Sequence, residues 1–308
     1  MSTSPTAPST RRRTVAPYAF LAPAVLLFGA FLALPIGYAV YLSLRTVQVR
    51  GLGLGKGSRE EVWAGLSNYS KAITDPDFAA SVLRVAAYGV LVVPAMLGLA
   101  LLFALLLDSP RARATKFSRL AIFLPYAVPA VISSLLWGFL YLPSVSPLYF
   151  VFGKLGWDVP SVLGSGSVIY AVANIAVWGG VGFNMVVIYT ALKAIPTEIY
   201  EAAKLDGCSE VSIAWRIKVP VVLPSLIMTF VFSLIATLQV FAEPVTLRPL
   251  TNTISSTWTP LMKVYRDAFT RDDLYSAAAT SVVLAVATFV LSFGFLRLVQ
   301  NRAFSQEN

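Results

Sequence analysis

Long uncharged stretches alternate with short charged segments along the whole chain. Six stretches contain 23 or more consecutive residues without Asp, Glu, Lys or Arg, and all are rich in Leu, Val, Ile, Ala and Phe. About 20 helical residues cross a hydrocarbon core about 30 Å thick, so each stretch is long enough to span a membrane. The pattern therefore predicts an all-α polytopic membrane protein with six transmembrane helices. The stretches are 14–44, 85–107, 120–153, 159–192, 219–242 and 274–296.

Turn and cap signals place the ends of these helices. Asp75-Pro76 is typical of a turn or helix cap before the second helix, and Asp108-Ser109-Pro110 is typical of its end. We expect a disordered cytoplasmic tail over 1–16, a six-helix membrane domain over 17–300 and a C-terminal tail over 301–308. The predicted helices are 18–44, 80–107, 120–142, 167–192, 221–242 and 275–299.

Composition narrows the function classes. Only 13% of the 308 residues are charged and the mean hydropathy is +0.72, which excludes a soluble globular enzyme. The chain has no histidine and one cysteine, Cys208, so triads that use histidine, histidine-ligated metals and an intramolecular disulfide are excluded. The glycine cluster Gly51–Ser58 lacks the spacing of a phosphate-binding loop. We therefore expect neither a metal site nor a nucleotide site in this chain.

The net charge of +9 indicates orientation rather than nucleic-acid binding, because the charge is not gathered on a soluble domain. Of the 24 Lys and Arg residues, 13 lie in 1–13, 108–119, 193–218 and 297–308. Short cytoplasmic loops retain Lys and Arg, so we expect both termini in the cytoplasm. Arg11-Arg12-Arg13 before an apolar stretch is also compatible with a signal peptide, but 31 uncharged residues exceed a secretory core and favour a retained first span.

The segment between the fourth and fifth predicted helices has the pattern of two short helices joined by a sharp elbow. Pro196 suits a first helical turn, Asp206-Gly207 is a helix stop, and Ser209 is a cap for the next helix. Val211, Ala214 and Trp215 recur at helical spacing and predict an amphipathic face. Such an elbow can dock into a cleft of a partner, although a structural hairpin without a partner fits the same pattern.

This segment resembles the EAA signature, E-A-A-x3-G-x9-I-x-L-P, of importer-type ABC transporter permeases. Only Val219 departs from the pattern, where the family prefers Leu. The resemblance covers roughly 17–300 and is strongest to sugar-importer permeases of the maltose and glycerol-phosphate type. Arg248-Pro-Leu-Thr-Asn252 stands where that subfamily has a Gly-Gly-Gly-Pro run. The coupling residues implied by the resemblance lie within 197–220 and are Glu201, Ala202, Ala203, Asp206 and Gly207.

The resemblance also implies what surrounds the chain. A bacterial inner-membrane permease of this kind works as a heterodimer with a second permease subunit and with two copies of an ATP-binding subunit. ATP and Mg would be held by those subunits, so no cofactor is expected in this chain. An extracytoplasmic solute-binding protein would deliver a sugar or related polyol, and membrane lipid would surround the helices.

Polar side chains within the predicted spans are candidates for solute contact, because buried polar groups often face a cavity. For Ser and Thr in such positions, packing between helices is the favoured interpretation, whereas Asn184, Gln239 and Glu243 fit either one. An ion-coupled secondary transporter of a small polar solute is the alternative function, but the six uncharged stretches contain no carboxylate. A membrane-embedded enzyme lacks obvious catalysts. The candidate solute-binding residues are Trp178, Gly180, Asn184, Ser233, Thr237, Gln239 and Glu243.

Overall fold

The computed structural model describes residues 16–49, 59–157 and 159–303. The described chain is predominantly helical, which confirms the predicted class in its coarse form. Five helical segments are long and apolar enough to cross a membrane, and a sixth crossing arises if one sharply bent pair counts as a span. The five are Tyr18–Ser43, Pro76–Asp108, Val168–Lys193, Leu223–Leu250 and Leu274–Arg297.

Three sequence predictions fall wholly or partly outside the described residues. The predicted tail over 1–16 is described only at residue 16, and the glycine cluster 51–58 is not described. Of the predicted C-terminal tail, 301–303 continue the last helix and 304–308 are not described.

The first span is α1 (Ala16–Phe28), a π-helical turn (Gly29–Ala33) and α2 (Leu34–Ser43). The turn ends at Ala33, two residues before Pro35, which has no N–H to donate to the helix. None of the most apolar 18 residues of this span is buried against the rest of the described chain. Only α2 packs closely on another span, the last one.

A β-hairpin follows where only a loop was predicted. β1 (Arg45–Val49) pairs antiparallel with β2 (Arg59–Trp63), so the all-α description is incomplete. The short helix α3 (Ser67–Thr74) is held on the hairpin by Asn68, whose amide nitrogen donates to the carbonyls of Ser43 at 2.9 Å and Arg45 at 2.6 Å.

The second span, α4 (Pro76–Asp108), has the predicted cap. The Asp75 carboxylate accepts from the backbone N–H of Asp77 at 2.8 Å, and Pro76 occupies the first turn. The helix is longer than predicted because it also includes 76–79.

The continuous third helix predicted over 120–142 is wrong. The structure has α5 (Thr115–Phe123), a 3₁₀ turn (Leu124–Ala127) and α6 (Ala130–Tyr141), with a bend of 97° between the two parts. Pro129 forces the break, because a residue before proline is driven out of the helical region. Val128 accordingly has extended backbone angles, φ −83° and ψ 126°.

The fourth span is close to its predicted bounds, whereas the fifth ends early. The helix predicted to reach residue 242 stops at Leu238, and residues 239–241 separate it from a short second helix. The remaining elements are α7 (Pro147–Lys154), α8 (Val168–Lys193), α9 (Thr197–Leu205), α10 (Glu210–Ile213), a π turn (Ala214–Lys218), α11 (Val219–Val221), α12 (Leu223–Leu238), α13 (Ala242–Leu247), a 3₁₀ turn (Arg248–Leu250), α14 (Pro260–Tyr265), a π turn (Arg266–Thr270) and α15 (Leu274–Ala303).

The core lies where α4 and α8 pack along each other. Ala100 and Ala104 of α4 are fully buried against Met185 and Ile188 of α8. Small side chains let the two helix backbones approach closely, as is typical of membrane helix packing. This pair forms the frame on which the candidate site is built.

Candidate functional site

A cavity of about 980 Å³ opens between α4, α8, α12 and the broken third span. The break itself forms one wall, since Pro125, Tyr126, Val128 and Pro129 all line the cavity. Irregular backbone at membrane depth is tolerated where it is buried in protein or lines a cavity. The bend that the sequence analysis missed is therefore what shapes this cavity.

Six of the seven candidate solute-binding residues line this cavity. They come from four separate segments, α8, α12, the break after α12 and the start of α13, so only the fold brings them together. They are Gly180, Asn184, Ser233, Thr237, Gln239 and Glu243.

Trp178 lies elsewhere. Its ring meets that of Trp137 on α6 edge to face, with 6.0 Å between centroids. On the same side of α8, the Asn174 amide donates to the Tyr141 hydroxyl at 2.8 Å. Trp178 and Asn174 therefore pack α8 against α6.

Asn184 is the most constrained polar group in the cavity. It is 4% exposed, and its amide nitrogen donates to the Gly180 carbonyl at 3.0 Å and to the Met96 sulfur at 3.2 Å. Its Oδ1 is buried with no hydrogen-bond partner among the described residues. An unpaired buried acceptor carries a cost that a hydroxyl donor from a ligand would remove.

Met96 connects three spans at this level. Its sulfur also accepts a weak hydrogen bond from Ser233 of α12 at 3.7 Å. A Cβ at Gly180 would lie 2.7 Å from the Met96 methyl carbon, so a larger residue there would displace the flexible end of the Met96 side chain. Gly180 thus shapes the cavity without offering a side chain to a ligand.

Gln239 and Glu243 contribute an amide and a carboxylate to the cavity wall just after α12. Gln239 is exposed where α12 ends, and the half-buried Glu243 lies in the first turn of α13. Both side chains line the cavity because the break at 239–241 redirects the chain there.

Aromatic residues complete the walls, and the sequence analysis did not select them. Tyr126 stacks on Phe183 with 5.0 Å between ring centroids, and Phe232 and Phe241 line the same cavity. A signal was available, since Phe183 directly precedes Asn184 and Tyr126 follows Pro125. Without the bend, nothing indicated that these rings face inward.

The second candidate region is the predicted two-helix elbow, and its local geometry is confirmed. Gly207 ends α9 with φ +80°, and Cys208 donates its N–H back to the Ala203 carbonyl at 2.9 Å. Ser209 then caps α10 by accepting from the N–H of Ser212 at 3.3 Å.

Four of the five candidate coupling residues lie on the surface of this elbow. Glu201, Ala202, Asp206 and Gly207 are exposed, whereas Ala203 is buried at 8% exposure. Large apolar side chains stand beside them, with Leu205 at 90%, Val211 at 68% and Trp215 at 64% exposed. So much exposed apolar surface next to charged groups is typical of a docking surface.

A buried ion cluster lies at the base of the elbow. Asp108 at the end of α4 pairs with Lys218 at 2.6 Å and with Lys193, at the end of α8, at 2.7 Å. The Lys218 ammonium also lies 4.8 Å from the centre of the Tyr200 ring on α9. Burial raises the pKa of Tyr200 to about 12, and the Asp108 carboxylate contributes to the shift.

Comparison with known proteins supplies the family. Residues 96–306, more than half of the chain, match the family described as "Binding-protein-dependent transport system inner membrane component". The sn-glycerol-3-phosphate transport system permease proteins UgpA of Salmonella choleraesuis and Shigella flexneri are each 28% identical over 290 residues, covering 93% of this chain and 94% of theirs.

Solved structures share the fold. A bacterial ABC transporter involved in the import of the acidic polysaccharide alginate superposes with a TM-score of 0.78 at 20% identity, covering 94% of this chain and 96% of that one. The alginate ABC transporter in complex with an alginate pentasaccharide-bound periplasmic protein gives 0.79 at 19% identity, covering 95% and 96%. The extent of the family match shows that this chain is an inner-membrane component, a permease, of the binding-protein-dependent transport systems.

Proposed function

We propose that the chain is one permease subunit of an ATP-driven importer that moves a sugar or related polyol into the cell. The observation that carries the proposal is the elbow, where Glu201 and Ala202 of the EAA motif are exposed on a two-helix unit tied to the ends of α4 and α8. Those two helices also line the cavity. Movement of the elbow can therefore reach the solute pathway through two packed helices.

The chemistry of the cavity supports a polyhydroxylated solute. The Oδ1 of Asn184 and the carboxylate of Glu243 accept hydrogen bonds, and hydroxyl groups are the donors that suit them. The rings of Tyr126 and Phe183 offer flat apolar surface for the carbon face of a sugar ring. The names of the relatives point the same way, since they refer to transport of glycerol phosphate and import of a polysaccharide.

Two copies of a separate ATPase subunit supply the energy in this proposal and hold ATP and Mg. They bind the elbow from the cytoplasmic side of the membrane, where both termini of this chain also lie. The distribution of Lys and Arg supports this orientation, and the exposed apolar side chains of the elbow suit a protein partner. This chain performs no ATP hydrolysis and acts as the transport subunit.

A second permease subunit and an extracytoplasmic binding protein complete the assembly. The first span leaves its apolar surface uncovered by the described chain, available to the second subunit and to lipid. At the end of the bundle opposite the elbow, α3 and α14 both pack on α4 and α15, and a binding protein can sit there. A related transporter has been solved with its periplasmic protein bound.

The elbow gives the sharpest test of this function. Gly207→Val should abolish co-purification of the ATPase subunits, or lower ATP-driven transport at least about tenfold, because a β-branched residue at φ +80° strains the elbow by roughly 1–2 kcal/mol and redirects it. The matched control is Gly207→Asn, since asparagine tolerates this conformation and no atom lies within 4 Å of the added Cβ.

Both variants are compared with the unmodified chain in membranes that contain all subunits. Transport by Gly207→Val at the wild-type rate, or transport by the wild type driven by an ion gradient without the ATPase subunits, would contradict the proposal.

A further inference from the structure

The ion cluster at the base of the elbow connects four elements of the chain. Asp108 is the last residue of α4, Lys193 is the last residue of α8, Tyr200 belongs to α9, and Lys218 ends the π turn before α11. The side chains of Asp108 and Lys218 are 4% and 6% exposed, so this ion pair is almost wholly removed from water. We define the Asp108 joint as these four residues.

The position of Asp108 is unfavourable for α4 alone. A carboxylate at the C-terminal end of a helix lies next to the negative end of the helix dipole. Lys218 and Lys193 offset that repulsion, and each lies within 3 Å of a different carboxylate oxygen. Removal of one partner of a buried pair leaves an uncompensated charge, so the elbow cannot separate from α4 without a large cost.

Apolar packing continues directly from the joint into the bundle. Leu107 of α4, Leu192 of α8, and Ile195 and Val222 on either side of the elbow belong to one buried cluster. Val222 is fully buried. The elbow is therefore fixed to α4 and α8 by a buried ion pair and by close packing beneath it.

Helix α4 connects the Asp108 joint directly to the cavity. Met96, which meets Asn184 and Ser233, lies 12 residues before Asp108 on the same helix, a distance of about 18 Å along the axis. A rigid helix passes displacement at one end to the other, whereas a loose connection at the elbow would absorb it.

We propose that Lys218 and Asp108 are positioning residues that make the elbow, α4 and α8 move as one body when ATP binds to the partner subunits. This inference rests on the proposed function, because it presupposes that ATPase subunits act on the elbow. Coupling then depends on a buried charge pair that the EAA motif does not specify, since Lys218 stands at an unspecified position of the motif and Asp108 lies outside it.

The test measures the spacing between the elbow and α4 directly. Cys208, the single cysteine, lies on the elbow, and Val90 of α4 is 78% exposed and suits a second spin label as Val90→Cys. In the complete importer, the distance between labels at 208 and 90 should be the same with Mg-ATP as without nucleotide. With Lys218→Gln it should shift and broaden on addition of Mg-ATP, and Lys218→Arg should restore the unshifted distance.

Lys204→Gln is the matched control. It removes the Lys204–Glu210 pair, which joins α9 to α10 at 3.0 Å but is exposed and does not reach α4 or α8. This variant should leave the 208–90 distance unshifted. Asp108→Asn alone would leave the buried Lys218 without its carboxylate partner. The double variant Asp108→Asn with Lys218→Gln therefore serves as the second test, and its 208–90 distance should shift as in Lys218→Gln.

The outcomes separate the two proposals. If the ATPase subunits do not co-purify with the wild-type chain, the proposed function fails. If they co-purify but Lys218→Gln and the double variant both keep the wild-type distance with Mg-ATP, the joint is not what fixes the elbow and this inference is overturned. Loss of ATP-driven transport of about tenfold with Lys218→Gln would accompany the shift, since coupling free energies in proteins correspond to roughly 5–150-fold effects.

Discussion

At the scale of single residues, Asn174 and Asn184 occupy the same helix in different surroundings. Asn174 is exposed and donates to the Tyr141 hydroxyl, whereas Asn184 is buried beside the cavity with Oδ1 unpaired. Both lie within one predicted span, and only Asn184 was selected from the sequence as a candidate for solute contact. The structure places Asn174 in a contact between helices and Asn184 beside the cavity.

This difference predicts that the same substitution lowers solute uptake at Asn184 and leaves it unchanged at Asn174. Asn184→Leu should lower solute uptake by the complete importer about fivefold, because one hydrogen bond to a ligand is worth about 1 kcal/mol. Asn174→Leu should leave uptake near the wild-type rate, since Asn174 does not line the cavity. Uptake assays in membrane vesicles provide the comparison, and equal losses in both variants would contradict the placement of the solute beside Asn184.

Gly182 is a second position where one atom matters. A Cβ there would lie 2.3 Å from the Ile122 carbonyl oxygen and 2.7 Å from the Phe123 Cα, both backbone atoms that cannot turn aside. Gly182 therefore fixes how closely α5 approaches α8, and with it the position of the broken third span.

We expect Gly182→Ala to destabilise the chain by about 1–3 kcal/mol, because overpacking displaces backbone. Gly179→Ala, three residues earlier on the same helix, meets no atom within 4 Å and should be neutral or slightly stabilising. Thermal unfolding in detergent measures both. An unfolding midpoint of Gly182→Ala equal to that of Gly179→Ala would show that α5 can move away from α8 without a loss of stability.

At the scale of elements, charge holds the end of the bundle opposite the elbow. Asp267, 2% exposed, pairs with Lys263 at 2.7 Å and with Arg266 at 2.8 Å. Lys263 also reaches Asp75, the cap of α4, at 3.0 Å. This cluster attaches α14 and its π turn to the start of α4.

Asp267→Asn should destabilise the chain by about 3 kcal/mol, near the lower limit for breaking a buried pair. The cost stays near that limit because each cation retains a second carboxylate partner, Asp75 for Lys263 and Asp77 for Arg266. The control is Arg271→Gln, which loses an exposed contact of 3.6 Å to the same carboxylate and should cost less than about 1 kcal/mol. Unfolding midpoints in detergent distinguish them, and an unchanged midpoint for Asp267→Asn would refute a structural role for the cluster.

The elements also show how far sequence reasoning reaches. Helix caps are local, so Asp75, Gly207 and Ser209 could be identified from a few neighbouring residues, and all three act as predicted. The bend at Pro129 depends on the same local chemistry, yet proline is also tolerated inside spans such as α4, which contains Pro94. A proline alone therefore does not reveal whether a helix continues through it or breaks there, because packing against neighbouring helices decides the outcome.

At the scale of the whole molecule, hydropathy predicts the number of spans but not what lies between them. Within the described residues, the uncharged stretches correspond to five continuous helical crossings and a sixth that is divided, because only helices satisfy their own backbone in lipid. The cavity could be predicted only in part. Ser233 and Thr237 were selectable from helical spacing, whereas Tyr126 and Phe183 face the cavity because of a bend determined by tertiary packing. Likewise, the Asp108–Lys218 contact joins residues 110 positions apart that no local pattern connects.

The divided third crossing has a consequence for water. Its two parts, Thr115–Ala127 and Ala130–Tyr141, are each about 20 Å long or less, so neither alone traverses the hydrocarbon. The backbone between them keeps local pairing, since the Val128 N–H donates to the Pro125 carbonyl at 3.1 Å and the Pro129 carbonyl accepts from the Ser133 N–H at 3.0 Å. The turn therefore lines the cavity without leaving the Val128 N–H in need of a water molecule.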